Sequence, residues 1–235
     1  MILEALKRAV CEANLRLMRE GLVVQTFGNV SGFDHASGNL VIKPSGVDYA
    51  SLRPKDMVVV SLATGKVVEG KLRPSSDTPT HRALYRAFKN IGAVVHTHSF
   101  HATAWAQARR EIPALGTTHA DSFYGPVPCT RLLTVREIRN DYETNTGRVI
   151  VERFRKLDPL QMPAVLVAGH GPFVWGATLD DAVQNAVTLE YCAKLASETL
   201  RLHPSVKPMP GALLDKHFFC ANTGRRPTMG RNLSN

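Results

Sequence analysis

The sequence predicts an α+β fold, layered around a largely antiparallel sheet. Short apolar, β-branched segments and long amphipathic segments are mixed without the regular strand–helix–strand rhythm of a parallel sheet. Two turn signals early in the chain, Ser37-Gly38-Asn39 and Ala63-Thr64-Gly65, join apolar segments as hairpins do. No internal repeat or low-complexity linker divides the 235 residues, a length that suits one domain with a substantial core.

Along the chain, Leu3, Leu6, Val10, Ala13 and Leu17 recur at three- and four-residue steps, which predicts a helix over 2–20 stopped by Gly21. Residues 22–26 read as a strand, and Gly28-Asn29-Val30-Ser31-Gly32 as a turn-rich stretch. Strands are expected at 40–42, 57–62 and 67–68, with a loop over 43–49. Thr78-Pro79 opens a helix to about Lys89, with Thr78 as N-cap and Pro79 at N1. Residues 93–98 form a buried strand, and Ser99 caps a helix to about Arg109. Short strand or loop pieces follow around Val127 and Leu132-Leu133. Thr134 and Glu137 make a capping box for a helix over 134–146. Strands are expected at 149–151 and 165–167, and a long helix from Thr178 to about Leu202. Beyond His203, three prolines break regular structure.

Charge narrows the function. The chain carries 29 Lys and Arg against 20 Asp and Glu, a formal +9. From Arg201 onward there are six basic residues and one acid, so that segment holds +5. No basic run is interleaved with aromatics, so a nucleic-acid partner is not expected, and an anionic small molecule fits better. The four cysteines lie far apart without a C-x-x-C pair, as in reduced cytosolic proteins. The first residues lack the pattern of a signal peptide, and no run of 18 apolar residues exists. A cytoplasmic protein that does not span a membrane is the expectation.

Candidate metal ligands come from strand exits. His96 and His98 close an apolar segment two residues apart, which on a strand turns both imidazoles to one side. His170 follows a second apolar run and sits between two glycines, where backbone can approach closely. Asp77, just ahead of a helix, supplies a hard oxygen, although an acid there also suits a helix dipole. Three imidazoles and a carboxylate suit Zn²⁺, or Mn²⁺ with more open positions. Gly28-Asn29, Ser45-Gly46 and Ser75-Ser76 are small-residue loops able to cradle a phosphate, with Lys43 adding charge. The absence of G-x-x-x-x-G-K-[ST] removes the usual triphosphate loop.

Taken in order, GNVSG, KPSGVDY, RPSSDTPTH, VVHTHS, TTHADSFYG and HGPFVWG resemble the L-ribulose-5-phosphate 4-epimerase family, within the class II aldolase/epimerase superfamily. The resemblance runs from about residue 2 to His217. It implies a three-layer α/β/α sandwich around a mainly antiparallel sheet, and a homotetramer with sites between neighbouring subunits. It implies His96, His98 and His170 as metal ligands with Asp77 as the acidic member, and the three loops with Lys43 as substrate-binding residues. Asp121 matches a catalytic acid/base, and His217 a site residue near the chain end. The implied substrate is a phosphorylated ketopentose, epimerised at C4 by breaking and remaking the C3–C4 bond. A class II sugar-phosphate aldolase and a non-catalytic metal-binding homologue are the alternatives; aldolases of the group commonly carry Glu where Asp77 stands.

The tail departs from this pattern. The family places a second acid/base, a Tyr, in a segment close to L-R-K-H-G-x-x-A-Y-Y-G-Q, whereas residues 219–235 contain no Tyr and put Met229 near its place. Divergence at a chain end is one reading. The other is a frameshifted translation from about Phe219. Synonymous codons for Phe219–Gly224 and for Pro227–Arg231 spell L-R-K-H-G and Y-Y-G-Q in one shifted frame. The organisation expected is therefore one domain over 1–218 and a divergent tail over 219–235.

Overall fold

A computed structural model of the chain describes residues 2–221. In chain order the elements are α1 (Ile2–Arg19), β1 (Asn29–Asp34), β2 (Asn39–Ile42), β3 (Val58–Ser61), β4 (Val67–Glu69), α2 (Thr78–Ala87), β5 (Ala93–His96) and α3 (Phe100–Ala108). They continue with α4 (Thr117–Ala120), α5 (Val135–Arg139), α6 (Tyr142–Arg153), β6 (Ala164–Leu166), β7 (Pro172–Gly176), α7 (Leu179–Leu202) and α8 (Gly211–Ala221). The seven strands form one sheet in the order β4-β3-β2-β1-β5-β7-β6, and every neighbouring pair is antiparallel.

Helices cover both faces, and consecutive residues of β1 show how. Gly32 faces α1 and α7: a Cβ there would lie 2.9 Å from Leu6 and Val10 and 3.5 Å from Leu179. Ser31, pointing the other way, bonds His81 and Tyr85 of α2 at 2.7 and 2.8 Å. On the α1 side Val41 and Val59 join Val10, Cys11 and Tyr49 in one apolar cluster. Leu40, Ile42, Val58 and Val60 belong to the larger core. This alternation is what a sheet buried on both faces requires.

Several expectations need correction. Gly28–Gly32 is not a turn; most of it is β1, a central strand, and its small residues admit the packing helices. Residues 22–26 are not a strand: Leu22 is buried, but Gln25 takes a left-handed φ of 55° and turns the chain. The N-cap of α2 is Asp77, one residue before Thr78, and its side chain makes no cap hydrogen bond. The Thr134–Glu137 capping box is present, but the helix it opens ends at Arg139. Asp141 at φ 61°, ψ 59° breaks the chain there and starts α6. Residues 149–151 lie inside α6 rather than in a strand, because that face of the helix packs into the core with Val149 and Ile150 buried. Beyond the three prolines the chain does not stay irregular but forms α8. Of the divergent tail, Phe219–Ala221 continue α8, and the remainder, including Met229, lies outside the described residues.

Candidate active site

Strand register builds the centre of the site. In the sheet Asn29 of β1 and Phe173 of β7 are the cross-strand partners of His96, the last residue of β5. His98 lies beyond the strand end, not on it, so strand alternation does not explain the pair. The chain's turn after His96 nonetheless brings the two Nε2 atoms to 3.1 Å. His170 comes from the loop joining β6 to β7. Gly171 is required there, since a Cβ would stand 2.8 Å from the Thr97 carbonyl. Ligand atoms of His96, His98 and His170 all lie within 4.8 Å of one another.

Their electrostatics suit a cation. His96 Nδ1–H donates to the Pro172 carbonyl at 2.9 Å, which leaves Nε2 as the nitrogen with a free lone pair. Burial, with His96 and His98 beside it, holds the His170 imidazole well below its ordinary titration range. His98 shifts the same way, through the packing about its ring and through His96. The His98 and His170 rings are therefore neutral at physiological pH, the state in which imidazole binds metals.

Asp77 is outside that tight trio but lines the same cavity. Its Oδ2 accepts from Asn29 Nδ2 at 2.8 Å and from the Ser75 hydroxyl at 3.4 Å. Burial works to raise its pKa, but His96, His81 and the Asn29 hydrogen bond outweigh it and keep the carboxyl below its ordinary range. Asn29 also donates to Ser75 Oγ at 3.0 Å, whereas its Oδ1 is buried without a partner and can accept from a bound ligand.

These residues enclose a cavity of about 350 Å³. Every substrate-loop residue expected from the sequence lines it: Gly28, Asn29, Lys43, Ser45, Gly46, Ser75 and Ser76. Lys43 is only 2% exposed, its Nζ donating to the Thr26 carbonyl at 3.3 Å and lying 4.6 Å above the Tyr49 ring. Burial pushes its ammonium down to about 8. Sequence reasoning missed Phe27, Tyr142 and Glu143, which also line the cavity. The Asn140-Asp141 pair, a helix-breaking signal, was the available clue to the last two.

Asp121 and His217 do not line that cavity. They meet each other: His217 Nδ1–H donates to Asp121 Oδ1 at 3.0 Å. Tyr124 donates to Asp215 at 2.6 Å, and its ring packs on Phe218 at 5.1 Å and on Phe219 at 5.4 Å, so these contacts and the His217–Asp121 bond fasten α8 to the segment after α4.

Residues 8–197 match the family model of the class II aldolase and adducin N-terminal domain. The chain belongs to this class II aldolase family. Among relatives of this class II aldolase chain is "L-ribulose-5-phosphate 4-epimerase UlaF" of Salmonella paratyphi B, 52% identical over 92% of the chain and 95% of the relative. Among solved structures, an L-fuculose 1-phosphate aldolase matches with a TM-score of 0.76 at 27% identity, covering 91% of this chain and 94% of that one. YgbL of Klebsiella pneumoniae, described as a putative aldolase/epimerase/decarboxylase, matches with a TM-score of 0.71 at 26% identity, over 92% and 99%. The mixed helical and antiparallel architecture is thus that of the class II aldolases, in line with the sequence expectation.

Proposed function

We propose that this protein is a metal-dependent L-ribulose-5-phosphate 4-epimerase, converting L-ribulose 5-phosphate to D-xylulose 5-phosphate. One observation carries the reading: His96, His98 and His170 share a single cavity with Asp77 and the small-residue loops around Gly28, Ser45 and Ser75. The 52% identity to an epimerase, against 27% to an aldolase, favours epimerisation over net cleavage.

The donor set fits a divalent cation, with Zn²⁺ first and Mn²⁺ as the alternative. When bound, such an ion polarises the ketose carbonyl and adjacent hydroxyl and stabilises the negative charge that develops as the C3–C4 bond breaks. The protein's own residues do the rest. Ser45, Gly46, Ser75 and Ser76 with Lys43 hold the phosphate, which keeps the aldehyde half of the cleaved sugar in place while it rotates. Asn29 fixes Asp77 and offers Oδ1 to a substrate hydroxyl. Inversion at C4 needs proton transfer on two faces, and Asp121, oriented by His217, serves one. That pair lies outside the histidine cavity of its own chain, which supports the reading that a neighbouring copy in a homotetramer supplies it to the complete site. Among the described residues no helix is long and apolar enough to cross a membrane, and we place the enzyme in the cytoplasm without a nucleic-acid partner. A variant carrying the family tail, with its Tyr, is expected to turn over faster than the chain as written, and the gene's nucleotide sequence decides whether the tail is shifted.

The test is an assay of L-ribulose 5-phosphate with the zinc-loaded protein. Formation of D-xylulose 5-phosphate without free glycolaldehyde phosphate is expected. Net aldehyde release would move the protein to the aldolases, and metal retention without turnover, with the family tail in place, would make it a non-catalytic homologue.

A further inference from the structure

Tyr142 lines the cavity, and the reading above gives it no task. Its hydroxyl lies 3.2 Å from His170 Nδ1. We propose that Tyr142 is a positioning residue for the metal centre, its oxygen accepting from His170 Nδ1–H and so fixing Nε2 as the metal-binding nitrogen. The inference rests on the metal-dependent reading. Ligating histidines nearly always commit their second ring nitrogen to such a partner, which sets both tautomer and ring orientation. His96 already shows the arrangement, with its Nδ1 bonded to the Pro172 carbonyl at 2.9 Å. His170, in a loop between two glycines, has more need of an outside anchor than a strand residue has.

The surroundings of Tyr142 suit an anchor. It is the first residue of α6, placed there by the left-handed Asp141, a conformation that costs a non-glycine residue about 1 kcal/mol and persists where the surrounding structure enforces it. α6 is held hard against α2. A Cβ on Gly147 would stand 2.5 Å from the Ala83 Cβ and 3.4 Å from the Thr80 Cα, so only glycine permits this approach. The Thr80 hydroxyl donates to the Glu143 carbonyl at 2.6 Å, pinning the turn that carries Tyr142. Since α2 begins immediately after Asp77, one helix–helix contact sets Tyr142, and through it His170, in register with Asp77.

The experiment is a chelator-competition titration of Zn²⁺ and Co²⁺ on the wild-type protein and on Tyr142→Phe, which removes one oxygen and keeps the ring. The dissociation constant is expected to rise roughly 10–100-fold in the variant. The visible spectrum of the cobalt form should shift, and thermal melting of the metal-free protein should not. Equal affinity and identical cobalt spectra would overturn the proposal. A second measurement needs no variant: long-range ¹H–¹⁵N correlation in the wild-type zinc protein should find His170 protonated at Nδ1, and a proton on Nε2 would overturn it as well. Failure of the metal-dependent reading is distinguishable, because there the wild-type protein itself takes up no zinc.

Discussion

The histidine cavity is assembled from strand ends β1, β5 and β7 and the start of α2, all anchored in the main core. Asp121 and His217 meet instead beside a four-residue helix and α8, with Asp121 exposed and α8 contributing Phe218 alone to the buried residues. The first region is preorganised by the sheet. The second depends on one docked helix and, in the proposed tetramer, on a neighbour. Binding and turnover should therefore be separable by mutation, a statement that substitutions on the two sides can break.

The largest effect is expected on the cavity side. His96→Ala removes the buried ligand at the centre of the trio, so metal affinity should fall by more than the roughly 10–100-fold typical of losing a second-sphere partner, and epimerisation should become undetectable. Metal analysis after dialysis and the coupled assay read both; a variant that keeps its zinc would remove His96 from the ligand set. Next comes Asp121→Asn, where turnover should fall roughly 10²–10⁴-fold, the usual worth of a general acid–base group, with zinc content unchanged. Loss of metal in that variant would show that the two regions are not independent. Lys43→Met should act chiefly on binding, raising KM about 10–100-fold, the range of a lost charge-assisted phosphate contact, with a smaller change in kcat.

How far the sequence reveals these two regions follows the same division. The six motifs contain the three clustered histidines, Asp77 and the expected loop residues of the cavity, though not Phe27, Tyr142 or Glu143, because close backbone approach and an imidazole cluster demand particular residue types. His170 with its flanking glycines is legible from the short run that holds it. The strand Asn29–Asp34 is not, because Gly28, Ser31 and Gly32 signal a turn in isolation and make sense only once α1 and α2 press on the two faces. Tyr142 is harder to read for a related reason: Val149-Ile150-Val151 reads locally as a strand, and packing against α2 makes it part of the helix that Asp141 starts at Tyr142. That Asp77 does not cap its helix is likewise invisible in a sequence where an acid at a helix start is ordinary. Asp121 and His217, 96 positions apart, are joined only by the docking of α8.

The smallest effect expected comes from the titration of Lys43. Burial depresses its ammonium from an ordinary 10.5 to about 8. In the substrate-free protein it loses its charge as pH rises through about 8, so KM should climb above that point, while a bound phosphate raises the pKa and keeps kcat flatter. Stability moves in the opposite sense. Between about 8 and 10.5 the unfolded chain binds the proton that the folded chain has released, so this group's contribution to stability rises with pH across that window and is constant below it. Lys43→Met should flatten the KM profile and remove the alkaline gain in melting temperature together. Inorganic phosphate, added to the wild-type protein in thermal melts from pH 7.5 to 10.5, should shift the onset of that gain upward. A wild-type profile with no such shift would place the phosphate elsewhere than beside Lys43, and leave the cavity a metal site without the anchor that epimerisation needs.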